Sequence, residues 1–218
     1  MKRRMRNLIY LLLCCVLGIS LIYFYAYDSS GEDRGNTGVQ LYENVDGTEV
    51  EVIIEFLSYD ETIKLIMEKK NITEAEAEVI LGPKTSMTNT HSTSYAIRTE
   101  RHKIYTYVVE IGAVWEVYHS GDLKQFNSYK TTWSGGVGSE SYTWNEFYAI
   151  DKTPSYPCVT AIAEARGAIE VALDISYAGT VGVQLENSGF ENTGAIGQTY
   201  IYRYPKTLSF VWELYPES

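Results

Sequence analysis

The chain has 218 residues, a formal net charge of −10 and three cysteines. All 28 acidic residues but only 14 of the 18 basic ones follow residue 27, so that remainder carries −14. This argues against a nucleic-acid partner, because phosphate binding rewards a basic surface. Only Cys158 lies beyond the first 27 residues, so no disulfide can close within that part. If it is exported, it fits a Gram-positive-type bacterial envelope better than a cross-linked secretory domain.

Residues 1–7 form a basic tip containing Lys2, Arg3, Arg4 and Arg6, and Leu8 to Tyr27 is an uncharged apolar run of 20 residues. As a helix that run would span roughly 30 Å, one hydrocarbon core. The cations precede it, which keeps the amino end in the cytoplasm and exports the rest. Tyr23, Phe24, Tyr25 and Tyr27 crowd the exit side, where aromatic rings favour the interface. The expectation is an uncleaved transmembrane signal anchor over 8–27 in the cell membrane. A cleaved signal peptide competes with it, but cutting after Ser20 would leave Leu21 to Tyr25 as an apolar stub, and Phe24 spoils a cut near Ala26. A lipoprotein reading on Cys14 or Cys15 is weakened by Leu13, where a small residue is wanted.

Residues 28–38 (DSSGEDRGNTG) have no apolar period and read as a flexible linker. Residues 39–218 are then one extracytoplasmic β-rich domain, large enough for its own core. Val39 to Val45 is a first strand, Asp46-Gly47 a hairpin turn, and Glu49 to Phe56 a second strand with Val50, Val52, Ile54 and Phe56 on one face. Ser58 and Glu61 have the spacing of a capping box, and Ile63, Ile66 and Met67 follow at helical period. Asn71 closes that helix; Thr73 and Glu76 cap a second, which Gly82-Pro83 stops. Two short amphipathic helices of this kind pack on a sheet.

From Ser94 the period changes to two. Tyr105 to Val117, Ile169 to Tyr177, Val181 to Leu185, Ile196 to Tyr204 and Leu208 to Leu214 each alternate. Turn signals at Ser120-Gly121-Asp122, Thr153-Pro154, Ala178-Gly179, Asn187-Ser188-Gly189 and Pro205-Lys206 separate them. Alternation with short connections predicts antiparallel pairing, and the 19 tyrosines suit strands. The expected fold class is mainly β: an antiparallel β-sandwich or barrel-like meander of about nine or ten strands, with two short helices near its start and a transmembrane helix before it.

Catalytic signatures are sparse. His91, His102 and His119 have no ligand spacing among themselves, so no metal site and no cofactor is expected. Cys158 has no local His to activate it and reads as an inert thiol. Ser134 to Ser139 is glycine-rich but lacks the Lys-Ser/Thr of a phosphate cradle, and reads as a hairpin loop. If Trp133 opposes Tyr142 across that loop, then Thr131 opposes Trp144 and Tyr129 opposes Glu146. Trp133, Tyr142, Trp144 and Glu146 would share a face that could form a ligand surface for a sugar ring. The polar residues Ser128, Lys130, Thr143 and Asn145 claim the opposite face, which favours a core role for the rings.

The reading that follows is a membrane-anchored domain of a Gram-positive-type envelope with a non-catalytic binding or scaffolding role. Its partners would be the membrane, through residues 8–27, and an envelope protein or glycan. The alternatives are a cell-wall or glycan-acting enzyme, with Glu146 as general acid, and an immunity or sensor component.

Overall fold

The computed structural model describes residues 39–45, 48–84, 92–120, 123–138 and 141–214. The basic tip, the apolar run 8–27 and the linker 28–38 lie outside the described residues. Among the described residues, no helix is long and apolar enough to cross a membrane.

Among the described residues, nine strands form two antiparallel sheets. The first is a five-stranded meander of β1 (Val39–Val45), β2 (Thr48–Leu57), β3 (Ser92–Ile104), β4 (Tyr107–Ser120) and β5 (Leu123–Gly136), in that order. The second runs in the order β6 (Thr143–Asp151), β7 (Thr160–Asp174), β9 (Thr199–Glu213), β8 (Glu191–Ile196). Two helices, α1 (Tyr59–Lys70) and α2 (Glu74–Leu81), connect β2 to β3.

Local chemistry explains the helices. The Glu61 carboxylate accepts hydrogen bonds from the Ser58 backbone N–H (2.9 Å) and hydroxyl (2.7 Å). Glu76 does the same for Thr73, both at 2.8 Å. Each box satisfies donors that a helix start leaves open. Asn71 ends α1 in the left-handed region, at φ 52° and ψ 50°, where Asn is tolerated.

The two sheets enclose one core. Trp115 and Phe126 of the first sheet meet Phe210 and Trp212 of the second, with ring centroids 5.3–6.0 Å apart. Ala161, Ala163 and Ala165 of β7 give these rings room. A second core lies between the helices and the outer face of the first sheet. There Ile63, Ile66, Ala77 and Leu81 meet Tyr95, Ile97, Val114 and Trp133. The middle of the first sheet is therefore covered on both faces, and β4 is buried without interruption from Val109 to Trp115.

Several expectations need correction. Tyr105 does not continue the long strand: with φ 57° it forms the turn between β3 and β4. Residues 175–187 are helical, not strand. Sheet pairing of β7 stops at Asp174 opposite Thr199, so the alternation beyond it has no ladder to join. Asp174 instead accepts from the Ser176 N–H (2.9 Å) and hydroxyl (2.7 Å) and starts a helical turn. Pro205-Lys206 is not a turn, because β9 runs through it paired to Ala168 and Gly167. Pro205 lies two residues past the last pair with β8, Glu191↔Arg203. On that side β9 is an edge, where the missing N–H costs no ladder bond.

The expected Trp133–Tyr142 pairing is also not formed. β5 pairs with β4, placing Trp133 opposite Gly112 and Thr131 opposite Val114. β6 pairs with β7, placing Trp144 opposite Ile169 and Glu146 opposite Gly167. The connection after Gly136 thus crosses from one sheet to the other. Its glycines and polar residues permit such a crossing as readily as a hairpin.

Candidate functional site

Three polar assemblies stand out. The first lies on β3, on the face turned toward the second sheet. The Arg98 guanidinium donates to Glu100 Oε1 from Nε (2.9 Å) and Nη2 (2.5 Å), and His102 Nε2 is 3.1 Å from Glu100 Oε2. Arg98 also stands over the Phe210 ring, 5.1 Å from its centroid. Glu100 and His102 are buried. A carboxylate there is held in place by its partners, since an unpaired buried charge would be costly.

The second assembly is on the helix side of the same sheet. Glu110 accepts from Lys69 Nζ (2.6 Å), Trp133 Nε1 (3.2 Å) and Arg101 Nε (3.4 Å). Arg101 continues to Glu51 (3.3 Å), and Lys70 reaches the Thr132 carbonyl (3.1 Å). The end of α1 is thereby pinned directly to β4 and β5, and Arg101 carries the network on to β3 and β2. Nearby, burial raises the Glu116 carboxyl, but hydrogen bonds from Lys130 and Ser128 outweigh it and leave the group below the usual glutamate range.

The third assembly joins the two sheets where the chain crosses. Glu146 Oε2 of β6 accepts from the Ser134 N–H (2.9 Å) and hydroxyl (2.7 Å) of β5. Trp144 Nε1 donates to the same Ser134 Oγ (2.9 Å). The hydroxyl therefore gives its proton to a carboxylate and takes one from an indole. Such an arrangement fixes the crossover and engages both Ser134 Oγ and Glu146 Oε2. Tyr142 completes it from the core side, with its hydroxyl against the Val108 carbonyl and 2.9 Å from the Val137 N–H.

The four residues expected to share one face are therefore divided. Trp133 is buried in the helix–sheet core and Tyr142 between the sheets. Trp144 is half-buried with its indole against Gly167, and Glu146 is exposed. Only Trp144 and Glu146 come together, through Ser134. A bulge at Phe147 lies between them and the rest of β6.

Other candidates resolve into structure. Cys158 is bridged to Phe126 through the backbone, and burial pushes its thiol up, which keeps it from the reactive thiolate form. Beside it Asp151 accepts from the Thr153 N–H and hydroxyl and from the Tyr156 hydroxyl (2.9 Å), while Trp115 Nε1 donates to Tyr156 (2.8 Å). Burial raises the Tyr156 hydroxyl well above its ordinary value. His119 pairs with Ser94 Oγ at 2.8 Å, and His91 lies outside the described residues. Among the described residues no group of His, Cys, Asp and Glu is arranged to hold a metal ion.

The Arg98–Glu100–His102 row is barely visible in the sequence. Its only signal is three charged or polar residues at i, i+2 and i+4, which on a strand facing water would be ordinary.

These features define a two-sheet, sandwich-like domain with a helix pair on one outer face. No protein-family model matches the chain, and neither a curated protein nor a solved structure matches it.

Proposed function

We propose that residues 39–218 act as a non-catalytic binding domain, held at the outer side of a bacterial cell membrane by residues 8–27, and that its docking surface is the segment between β7 and β9. The carrying observation is the exposure of large apolar side chains there. Ile175 is 53% exposed, Tyr177 64%, Val183 52% and Ile196 77%. Apolar residues crowded on a surface are characteristic of an interaction site. Leu185 and Phe190 anchor the same segment in the core, so the exposed residues sit on a supported element.

Asp174, Glu186 and Glu191 accompany these side chains and are exposed. The occupant that fits is an envelope protein whose contact surface is apolar and edged with Lys or Arg. The glycan-acting alternative requires two carboxylates facing across a groove, roughly 5–10 Å apart. Glu146 does not favour it, because its carboxylate is committed to Ser134.

Photocrosslinking in intact cells tests the proposal. A crosslinker at Ile196 or Tyr177 should give a protein adduct, whereas one at Val211, also exposed but on the outer face of the second sheet, should not. Lipid adducts at Ile196 would reassign the surface to the membrane. Equal adducts at all three positions, or none, would remove the proposal.

A further inference from the structure

We propose a second binding site, apart from the 175–196 surface: the cleft between α1 and α2 receives an arginine side chain from a protein partner, which replaces Lys84, a residue of the cleft wall, at the Asp60 carboxylate. The cleft is an open cavity of about 670 Å³ lined by Tyr59, Asp60, Glu78, Val79, Pro83 and Lys84 among others. Its floor is fixed, because the Tyr59 hydroxyl donates to the Gly82 carbonyl at 2.9 Å and its ring packs edge-on against Tyr95 at 6.1 Å.

Lys84 marks how a cation is held there. Its ammonium is 3.1 Å from both Asp60 carboxylate oxygens and 5.5 Å from the centre of the Tyr59 ring. An aromatic face and a carboxylate on one cation form a recognisable pair of attractions. Both Lys84 and Asp60 are more than half exposed, so the internal contact is weak and exchangeable. Val79, 83% exposed at the rim, offers an apolar wall for the stem of an incoming side chain.

The occupant follows from this chemistry. A guanidinium satisfies a carboxylate with two parallel bonds and stacks on a ring better than an ammonium does. It should therefore displace Lys84, whereas another lysine would merely match it. Glu78 supplies a second carboxylate on the cleft wall. The charge of −14 over residues 28–218 favours encounter with a basic segment.

The test uses the full-length protein in detergent micelles and a fluorescent, end-blocked Leu-Arg-Leu peptide, read by anisotropy. Lys84→Met keeps the apolar stem and removes the competing charge, so it should tighten binding by about threefold or more, given the modest size of exposed cation contacts. Asp60→Asn should weaken binding in both the wild-type and the Lys84→Met backgrounds. A citrulline peptide of equal size should bind no better than background. The melting temperatures of Lys84→Met and Asp60→Asn should stay close to the parent, which separates a binding effect from unfolding. If Lys84→Met does not tighten binding, or citrulline binds as well as arginine, the Lys84–Asp60 contact is an ordinary surface ion pair and the site does not exist.

Discussion

The Trp133 indole occupies the place where a side chain on Gly112 would stand: a Cβ built there lies 2.1 Å from Trp133 Cζ2. The two residues are direct partners across β4 and β5. The ring's N–H continues to Glu110 at 3.2 Å, so a glycine, an indole and a buried carboxylate form one unit under the helices. Gly112→Ala should therefore destabilise the domain by at least about 1–3 kcal/mol, the usual range for overpacking. Combining it with Trp133→Leu should cost less than the sum of the single changes, because the clash partner is gone. Chemical denaturation of the four-member cycle measures this, and additive costs would contradict the shared site.

Glu110 is the joint between α1 and the sheet. Glu110→Ala leaves Lys69 without its carboxylate and Arg101 with Glu51 alone; both cations are partly exposed, so the cost should be about 2–3 kcal/mol, below that of breaking a fully buried ion pair. Hydrogen exchange should show the loss concentrated in α1 and its contacts. A variant as stable as the parent would mean that water replaces the carboxylate freely.

The crossover between sheets rests on Ser134, Trp144 and Glu146. Trp144→Ala removes a half-buried ring seated on Gly167, and should cost about 3 kcal/mol, the low end for such truncations. Ser134→Ala should cost about 1 kcal/mol or somewhat more, since it removes one partner of two hydrogen bonds. Retention on purified cell wall should change only in proportion to unfolding. A Trp144→Ala protein of unchanged stability that no longer binds wall material would restore the rings to a ligand surface.

Acid sensitivity follows from the carboxylates whose values are lowered. Hydrogen bonds from Ser58 hold Glu61 below its ordinary range, those from Thr73 hold Glu76, and those from Ser176 hold Asp174. Each binds its proton less readily when folded, so its stabilisation is complete above the ordinary carboxylate value of about 4 and is lost as pH falls through the lowered one. The unfolding midpoint should be level near neutrality and decline below about pH 4.5. A Glu61→Gln, Glu76→Gln variant should show a shallower decline.

The alkaline side has the opposite sign. Burial, helped by the Glu116 charge, raises the Tyr95 hydroxyl to about 12. The folded state keeps this proton longer than the unfolded chain does, so stability falls as pH rises from about 10, the free tyrosine value. Tyr95→Phe should flatten the part of that fall belonging to this residue. An identical alkaline profile in the variant would show that Tyr95 ionises as it does in the unfolded chain.

What the sequence by itself determined is what depends on near neighbours. The Ser58–Glu61 and Thr73–Glu76 boxes, the αL turn at Asn71 and the antiparallel pairing of β1 with β2 each involve residues close in sequence, and all were formed as expected, while the Asp46-Gly47 turn itself lies outside the described residues. The strand period was also legible over β4, β7 and the second half of β9, but the same alternation misled at 175–187, which is helical. Tertiary structure decided which strand pairs with which, since the stretch from Ser134 to Tyr142 allows either a hairpin or a crossing. It decided that β4 is covered on both faces, and that the row Arg98, Glu100, His102 on β3, a pattern that reads as solvent-facing, is turned toward the second sheet. It also decided that Trp133 and Tyr142 lie in different cores while Trp144 and Glu146 meet at Ser134. Alternation states which residues share a face of one strand; only the packing of three layers states what each face meets.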